Sequence, residues 1–188
     1  MSAETSVTVV GAGATGGYLA AQLAKAGVSV TLVARADSLR QIRSSGITLE
    51  RPDGERETIR PQRVLAANEI EHRADLVLFC VKSYDTEAAA HLLTPLVADD
   101  GHVLCLQNGV KNEQILAAAI GDSRLLSGVL YIGSERLSPG VIRCSMPPSL
   151  IVGPYAGADL TSSTKVQEPL LSAGQVALLL FEVSGQLV

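Results

Sequence analysis

Residues 11–17, Gly-Ala-Gly-Ala-Thr-Gly-Gly, separate the β-branched run Val7–Val10 from a helical pattern over Tyr18–Ala26, and Val28–Ala34 follows as a second strand. Strand, tight turn, helix and strand within about 30 residues make a βαβ unit. The spacing is G-x-G-x-x-G. Gly11 allows the turn after the strand, Gly13 lets backbone approach a pyrophosphate, and Gly16 lets helix and strand pack closely. Ala12, Ala14 and Thr15 complete the loop, and the helix N-terminus behind them offers free N–H groups and a positive dipole end to an anion. A G-x-x-G-x-x-G reading fails, because Leu19 stands where its last glycine should be. The turn therefore predicts dinucleotide binding on an α/β fold.

The remaining pattern extends the same architecture. Leu76–Val81 and Val103–Leu106 are continuously apolar, as strands covered on both faces are. Helices are predicted over Ser38–Ser44 with Ser38 as cap, over Thr86–Val97, and over Asn112–Ile120 with Asn112 as cap. Arg51-Pro-Asp-Gly54 reads as the turn of a hairpin between Ile47–Glu50 and Glu57–Arg60. Leu125–Ile132 is a further strand, and Val141–Cys144 with Ser149–Val152 is expected as an antiparallel pair near the sheet edge. The expected fold is a Rossmann-like, doubly wound, mostly parallel sheet over residues 1–153. Residues 154–188 are expected to hold a linker, a short helix and an apolar tail.

Other classes of function find little support. The chain has 188 residues, 47% of them apolar, and a net charge of −4, which offers no basic surface to a phosphate backbone; nucleic acid is not an expected partner. No apolar run reaches the roughly 20 residues that span a bilayer, so no membrane role is expected. Cys80, Cys105 and Cys144 are an odd set without a C-x-x-C pair, which fits a reducing, cytoplasmic setting. His72, His91 and His102 show no metal-ligand spacing, so no metal is expected.

Ligand specificity should be read at strand ends. The second strand ends in Val33-Ala34-Arg35, and a basic residue there accommodates the 2′-phosphate of NADP, with Asp37 open as a ribose ligand instead. Lys82 follows the third buried strand, and Asn108, in Gln107-Asn108-Gly109, follows the next; both are candidates to face the crevice.

Taken together, Gly11-Ala-Gly-Ala-Thr-Gly-Gly-Tyr-Leu-Ala-Ala, Thr31-Leu-Val-Ala-Arg35, Val81-Lys82-Ser-Tyr-Asp-Thr-Glu-Ala-Ala and Leu106-Gln-Asn108-Gly-Val-Lys-Asn-Glu113 resemble the ketopantoate reductase family, with Gly128–Gly133 and Pro139–Arg143 in keeping. The resemblance implies NADPH-dependent reduction of 2-dehydropantoate, or a related small 2-oxo acid, to pantoate on the way to pantothenate and coenzyme A. It implies that Gly11–Gly16 hold the pyrophosphate and that Arg35 and Lys82 meet the 2′-phosphate end. Asn108 would lie on the nicotinamide side and touch substrate, and Ser134 near a cofactor-lining position. The family's proton donor is a lysine in a Trp-x-Lys-Leu-x-x-Asn-like stretch of a second, helical domain. No such stretch occurs here, so that domain is expected to be absent and no catalytic residue is assigned. Two other readings stand beside this one. The chain could be a non-catalytic NADP(H)-binding module, or an oxidoreductase drawing its acid from Tyr131 or Lys82. The resemblance leaves oligomerisation open.

Overall fold

Leu76 and Leu78 turn to one side of the strand that carries them, Val77 and Phe79 to the other, and all four are fully buried. This two-sided burial explains why the strand reads as an unbroken apolar run. The computed structural model describes residues 5–109, 111–156, 158, 164–172 and 177–180. Along these the order is β1 (Ser6–Val10), α1 (Ala14–Lys25), β2 (Ser29–Val33), α2 (Ala36–Ser45), β3 (Ile47–Glu50), β4 (Arg56–Ile59), β5 (Arg63–Leu65) and β6 (Ala74–Phe79). There follow α3 (Thr86–Ala90), α4 (Leu93–Leu96), β7 (Val97–Cys105), α5 (Asn112–Ile120), β8 (Leu125–Ser138), β9 (Val141–Pro154), α6 (Thr164–Ser172) and β10 (Ala177–Leu180).

The strands form one sheet in the order β4-β3-β9-β8-β7-β6-β1-β2-β5, with β10 beside β9. The run from β8 to β5 is parallel; β9 is antiparallel to β8, and β4 to β3. β3, which leaves α2 next to β2, pairs with β9 on the opposite side of the sheet. To close that pair the sheet curls around α1, which touches β1 and β2 as well as β3, β4, β8 and β9. Lys25 Nζ meets Glu57 Oε2 at 2.6 Å and ties the end of α1 to β4. Glu50, 7% exposed, sits between Arg56 and Arg143, each at 2.6 Å, and joins β3, β4 and β9 where the curl closes. On the other face α3, α4 and α5 cover Val77, Phe79, Val103 and Cys105. Each leucine-sized side chain in these cores contributes roughly 1.5–3 kcal/mol.

The expected doubly wound, Rossmann-like sheet is present, and five local readings need correction. α1 begins at Ala14, inside the glycine turn, four residues before the predicted Tyr18. α2 is capped by the backbone of Arg35, while Ser38 is buried and accepts a hydrogen bond from Arg136 Nη1 at 3.2 Å. The helix expected over Thr86–Val97 breaks into α3 and α4, because the Pro95 ring excludes the carbonyl four residues back, at His91. Residues 141–144 and 149–152 do not pair with each other. They are two parts of the single strand β9, and both pair with β8. Pro147 and Pro148, which suggest a turn, fall where the β8–β9 register shifts and no ladder N–H is required. Finally, Asn112 is the first residue of α5, with Lys111 as cap, so its amide is free for another task. Parts of the stretch expected as a linker, residues 157 and 159–163, lie outside the described residues, as do 181–188 of the apolar tail.

Candidate functional site

Backbone register places four strand ends on one row. Val10 of β1 is level with Val33 of β2 and Phe79 of β6, and Phe79 is level with Cys105 of β7. Past that row the chain carries, in spatial order, Arg35 after β2, Gly11 after β1, Lys82 after β6 and Asn108 after β7. Chain order reverses at β1, which has β2 on one side and β6 on the other, so a crevice opens above the glycine turn.

The turn is shaped by contacts that exclude side chains. Gly11 has φ +109° and donates its N–H to the Val33 carbonyl at 3.0 Å. A β-carbon there would press on the Cys80 carbonyl at 3.1 Å, and one on Gly16 would collide with the Gly11 carbonyl oxygen. Gly13, in contrast, has nothing within 4 Å of the place where its β-carbon would be. Gly13 is the N-cap of α1, no side chain caps the helix, and no acid stands in its first turn. Ala12 and Ala14 adjoin Gly13 in the turn and Thr15 follows, all half-buried. Open space, backbone donors and no competing carboxylate make a cradle that fits a pyrophosphate. Behind it, burial pushes the Cys80 thiol far up and the Cys105 thiol up to about 12, so both stay protonated packing groups.

On the β2 side the edge of the Arg35 guanidinium meets a carboxylate that the sequence reading did not single out. Nη2 meets Asp85 Oδ2 at 2.6 Å and Nη1 meets Oδ1 at 3.4 Å. Arg35 is 75% exposed and Asp85 21%. The hydrogen bond to Asp85 holds Arg35 still more firmly protonated than usual. Ala36, next along the chain, has φ +45°, a left-handed angle that strains an alanine. Asp37, the other candidate at this end, turns to Arg40 on α2.

Lys82 and Asn108 are exposed, and a buried polar network holds the loops that carry them. Gln107 Nε2 donates to the Val81 carbonyl at 2.9 Å and to Thr86 Oγ1 at 2.8 Å. Thr86 Oγ1 lies 2.8 Å from the Ser83 carbonyl and 3.1 Å from Asn112 Oδ1. Asn112 Nδ2 and Ser83 Oγ both donate to the Asn108 carbonyl, at 3.0 and 2.9 Å. The β6 and β7 loops are thereby one unit, with the Asn108 backbone clamped and its amide outside. Gln107 and Asn112 were visible in the sequence only as neighbours of Asn108 and as a cap. The one local signal was a polar glutamine directly after a buried strand. Ser134 is half-buried in β8 opposite Cys144, which lies against Tyr18 of α1; burial raises the Tyr18 hydroxyl to about 12.

The profile of the family described as "Ketopantoate reductase PanE/ApbA" matches residues 7–157. The chain belongs to the ketopantoate reductase family. It is 36% identical over 154 residues to a 2-dehydropantoate 2-reductase of Halobacterium salinarum, covering 81% of this chain and 50% of that protein. It is 31% identical over 189 residues to the 2-dehydropantoate 2-reductase of Mesorhizobium japonicum, covering 89% of this chain and 57% of that one. A crystal structure of a PanE/ApbA family ketopantoate reductase from Ralstonia eutropha JMP134 superposes with a TM-score of 0.80 at 32% identity, over 94% of this chain and 56% of the other. A D-mandelate dehydrogenase in ternary complex with NADH and anilino(oxo)acetate shares the fold, with a TM-score of 0.83 at 20% identity over 96% of this chain and 57% of that chain. The chain thus spans about half the length of the ketopantoate reductase relatives it matches. Among the described residues no helix is long and apolar enough to cross a membrane.

Proposed function

We propose that this chain is the cofactor-holding part of a reductase that uses NADPH to reduce 2-dehydropantoate, or a related 2-oxo acid, to the hydroxy acid. The observation that carries this reading is the row of strand ends, which sets a basic residue, an anion cradle, a lysine and an asparagine side by side in that order. In it Gly11, Ala12, Gly13, Ala14, Thr15 and Gly16 take the pyrophosphate. Arg35 and Lys82 take the 2′-phosphate end, its charge matched by a guanidinium fork and an ammonium. Asn108 lies beyond the turn on the opposite side from Arg35, where its amide orients the nicotinamide end and the substrate's polar groups. Ser134 lines the cofactor from β8. The nicotinamide supplies the reducing equivalent when bound; the residues of this chain bind it, orient it and exclude water around it. No proton donor is assigned among them. The NADP-binding domain is assigned to residues 1–153; beyond it, Val166 and Leu170 of α6 pack into the same core and β10 pairs with β9.

Isothermal titration calorimetry with NADPH and NADH tests the reading. NADPH should bind more tightly than NADH, and Arg35→Ala should weaken NADPH at least tenfold while changing NADH less than twofold. Absence of binding by either dinucleotide would sink the proposal. Tight NADPH binding without turnover of 2-dehydropantoate would support a cofactor-holding part that lacks its proton donor; a retained cofactor with a defined partner surface would favour a non-catalytic NADP(H)-binding module.

A further inference from the structure

We propose that Asp85 is a specificity-determining residue: its carboxylate competes with the 2′-phosphate for Arg35 and so limits how strongly the site prefers a phosphorylated dinucleotide. The inference rests on the assignment of Arg35 as the phosphate ligand.

Three features support it. First, the contact is end-on. Asp85 occupies the Nη1–Nη2 edge of the fork, at 3.4 and 2.6 Å, leaving Nε–H and the outer N–H groups for a second anion. A 2′-phosphate carrying about −1.5 to −2 charges would then sit across the width of one guanidinium from the carboxylate. That lies inside the Debye length of about 8 Å at physiological salt, so the two like charges oppose each other.

Second, both partners are held at the backbone. The Asp85 N–H is bonded to the Lys82 carbonyl at 2.8 Å, and the next residue, Thr86, is fixed by the buried contacts to Gln107, Ser83 and Asn112. Arg35 is anchored at the backbone as the cap of α2. Third, the pair joins the segments that leave β2 and β6, the two strands flanking β1, so it stands beside the glycine turn where the adenosine half must enter. Lys82 stands at the head of the same short turn.

The test compares wild type, Asp85→Asn and Arg35→Ala by calorimetry with NADPH and NADH. Asparagine keeps the shape and one acceptor while removing the charge. Asp85→Asn should tighten NADPH about 3–10-fold and leave NADH within twofold, with the gain shrinking in 0.5 M salt (about three times physiological strength or more). Weaker NADPH binding in Asp85→Asn would show that the carboxylate only positions Arg35, and would overturn the proposal. Equal change for both dinucleotides, or none, would overturn it too. Failure of the assignment beneath it reads differently: Arg35→Ala would then leave the NADPH-to-NADH ratio at its wild-type value. Matching thermal midpoints for the three proteins would exclude misfolding as the cause of any difference.

Discussion

The carbonyl oxygen of Gly11 fills the space that a β-carbon on Gly16 would need. The two glycines lie on opposite limbs of the turn, so the start of α1 is pressed against the end of β1 with no room for a methyl group. Gly13, between them, faces open space. One motif therefore contains two kinds of glycine, required for different reasons.

This separates two substitutions that look alike on paper. Gly16→Ala forces the backbone of α1 away from β1, an overpacking cost of about 1–3 kcal/mol or more, and should lower the thermal midpoint by several degrees. Gly13→Ala, at φ −76°, is unstrained and should leave the midpoint within about a degree while weakening NADPH at least tenfold. Differential scanning fluorimetry beside calorimetry checks both. Equal midpoints for the two variants would refute the distinction.

Thr86 is the hub of the network under Lys82 and Asn108. Thr86→Val keeps the shape but leaves Gln107 Nε2 and Asn112 Oδ1 each short of a partner in a buried place. Leaving such groups unpaired costs about 1–3 kcal/mol. Urea denaturation should show that loss with an unchanged m-value, and hydrogen exchange should accelerate at residues 82–86 and 107–112 before it does at Val7–Val10. Uniform acceleration across the sheet would mean the network supports only global stability.

Glu50 predicts an acid-side loss of stability. Hydrogen bonds from Arg143 and then Arg56 hold its carboxyl below the usual range. The unfolded chain therefore binds a proton at higher pH than the folded one, and the contribution of Glu50 is complete above the ordinary carboxylate pKa of about 4.3. It is lost as pH falls below that value towards the depressed native one. Melting temperatures from pH 7 down to pH 3 should drop more steeply for wild type than for Glu50→Gln, which should be less stable at pH 7. Parallel curves would rule the group out as a source of the slope.

What could be read beforehand divides along the range of the interaction. The glycine turn, the hairpin around Pro52-Asp-Gly54 and the buried strands are carried by residues within a few positions of each other, and their spacing betrays them. Arg35, Lys82 and Asn108 could be placed at strand ends because a parallel sheet aligns its carboxyl ends. Their partners could not. Asp85 meets Arg35 from 50 residues away, and Gln107 meets Thr86 from 21, across strands whose neighbours only the finished sheet defines. β9 was expected as two short strands, and the residues between them, with Pro147 and Pro148, fall where its register with β8 shifts. The curl of the sheet left no local trace, since Thr48 and Val141 carry no sign of being partners.

That closure has a cost in time. Glu50 waits 93 residues for Arg143. At about 5–20 residues per second of synthesis, the β3–β4 hairpin exists for roughly 5–20 s with the Thr48–Glu50 edge of β3 lacking the strand that will pair with it. During this interval an open edge is offered to any neighbouring chain. The nascent protein should thus be most prone to aggregate, and most dependent on chaperones, after its dinucleotide turn has emerged and before β9 arrives to shut the curl.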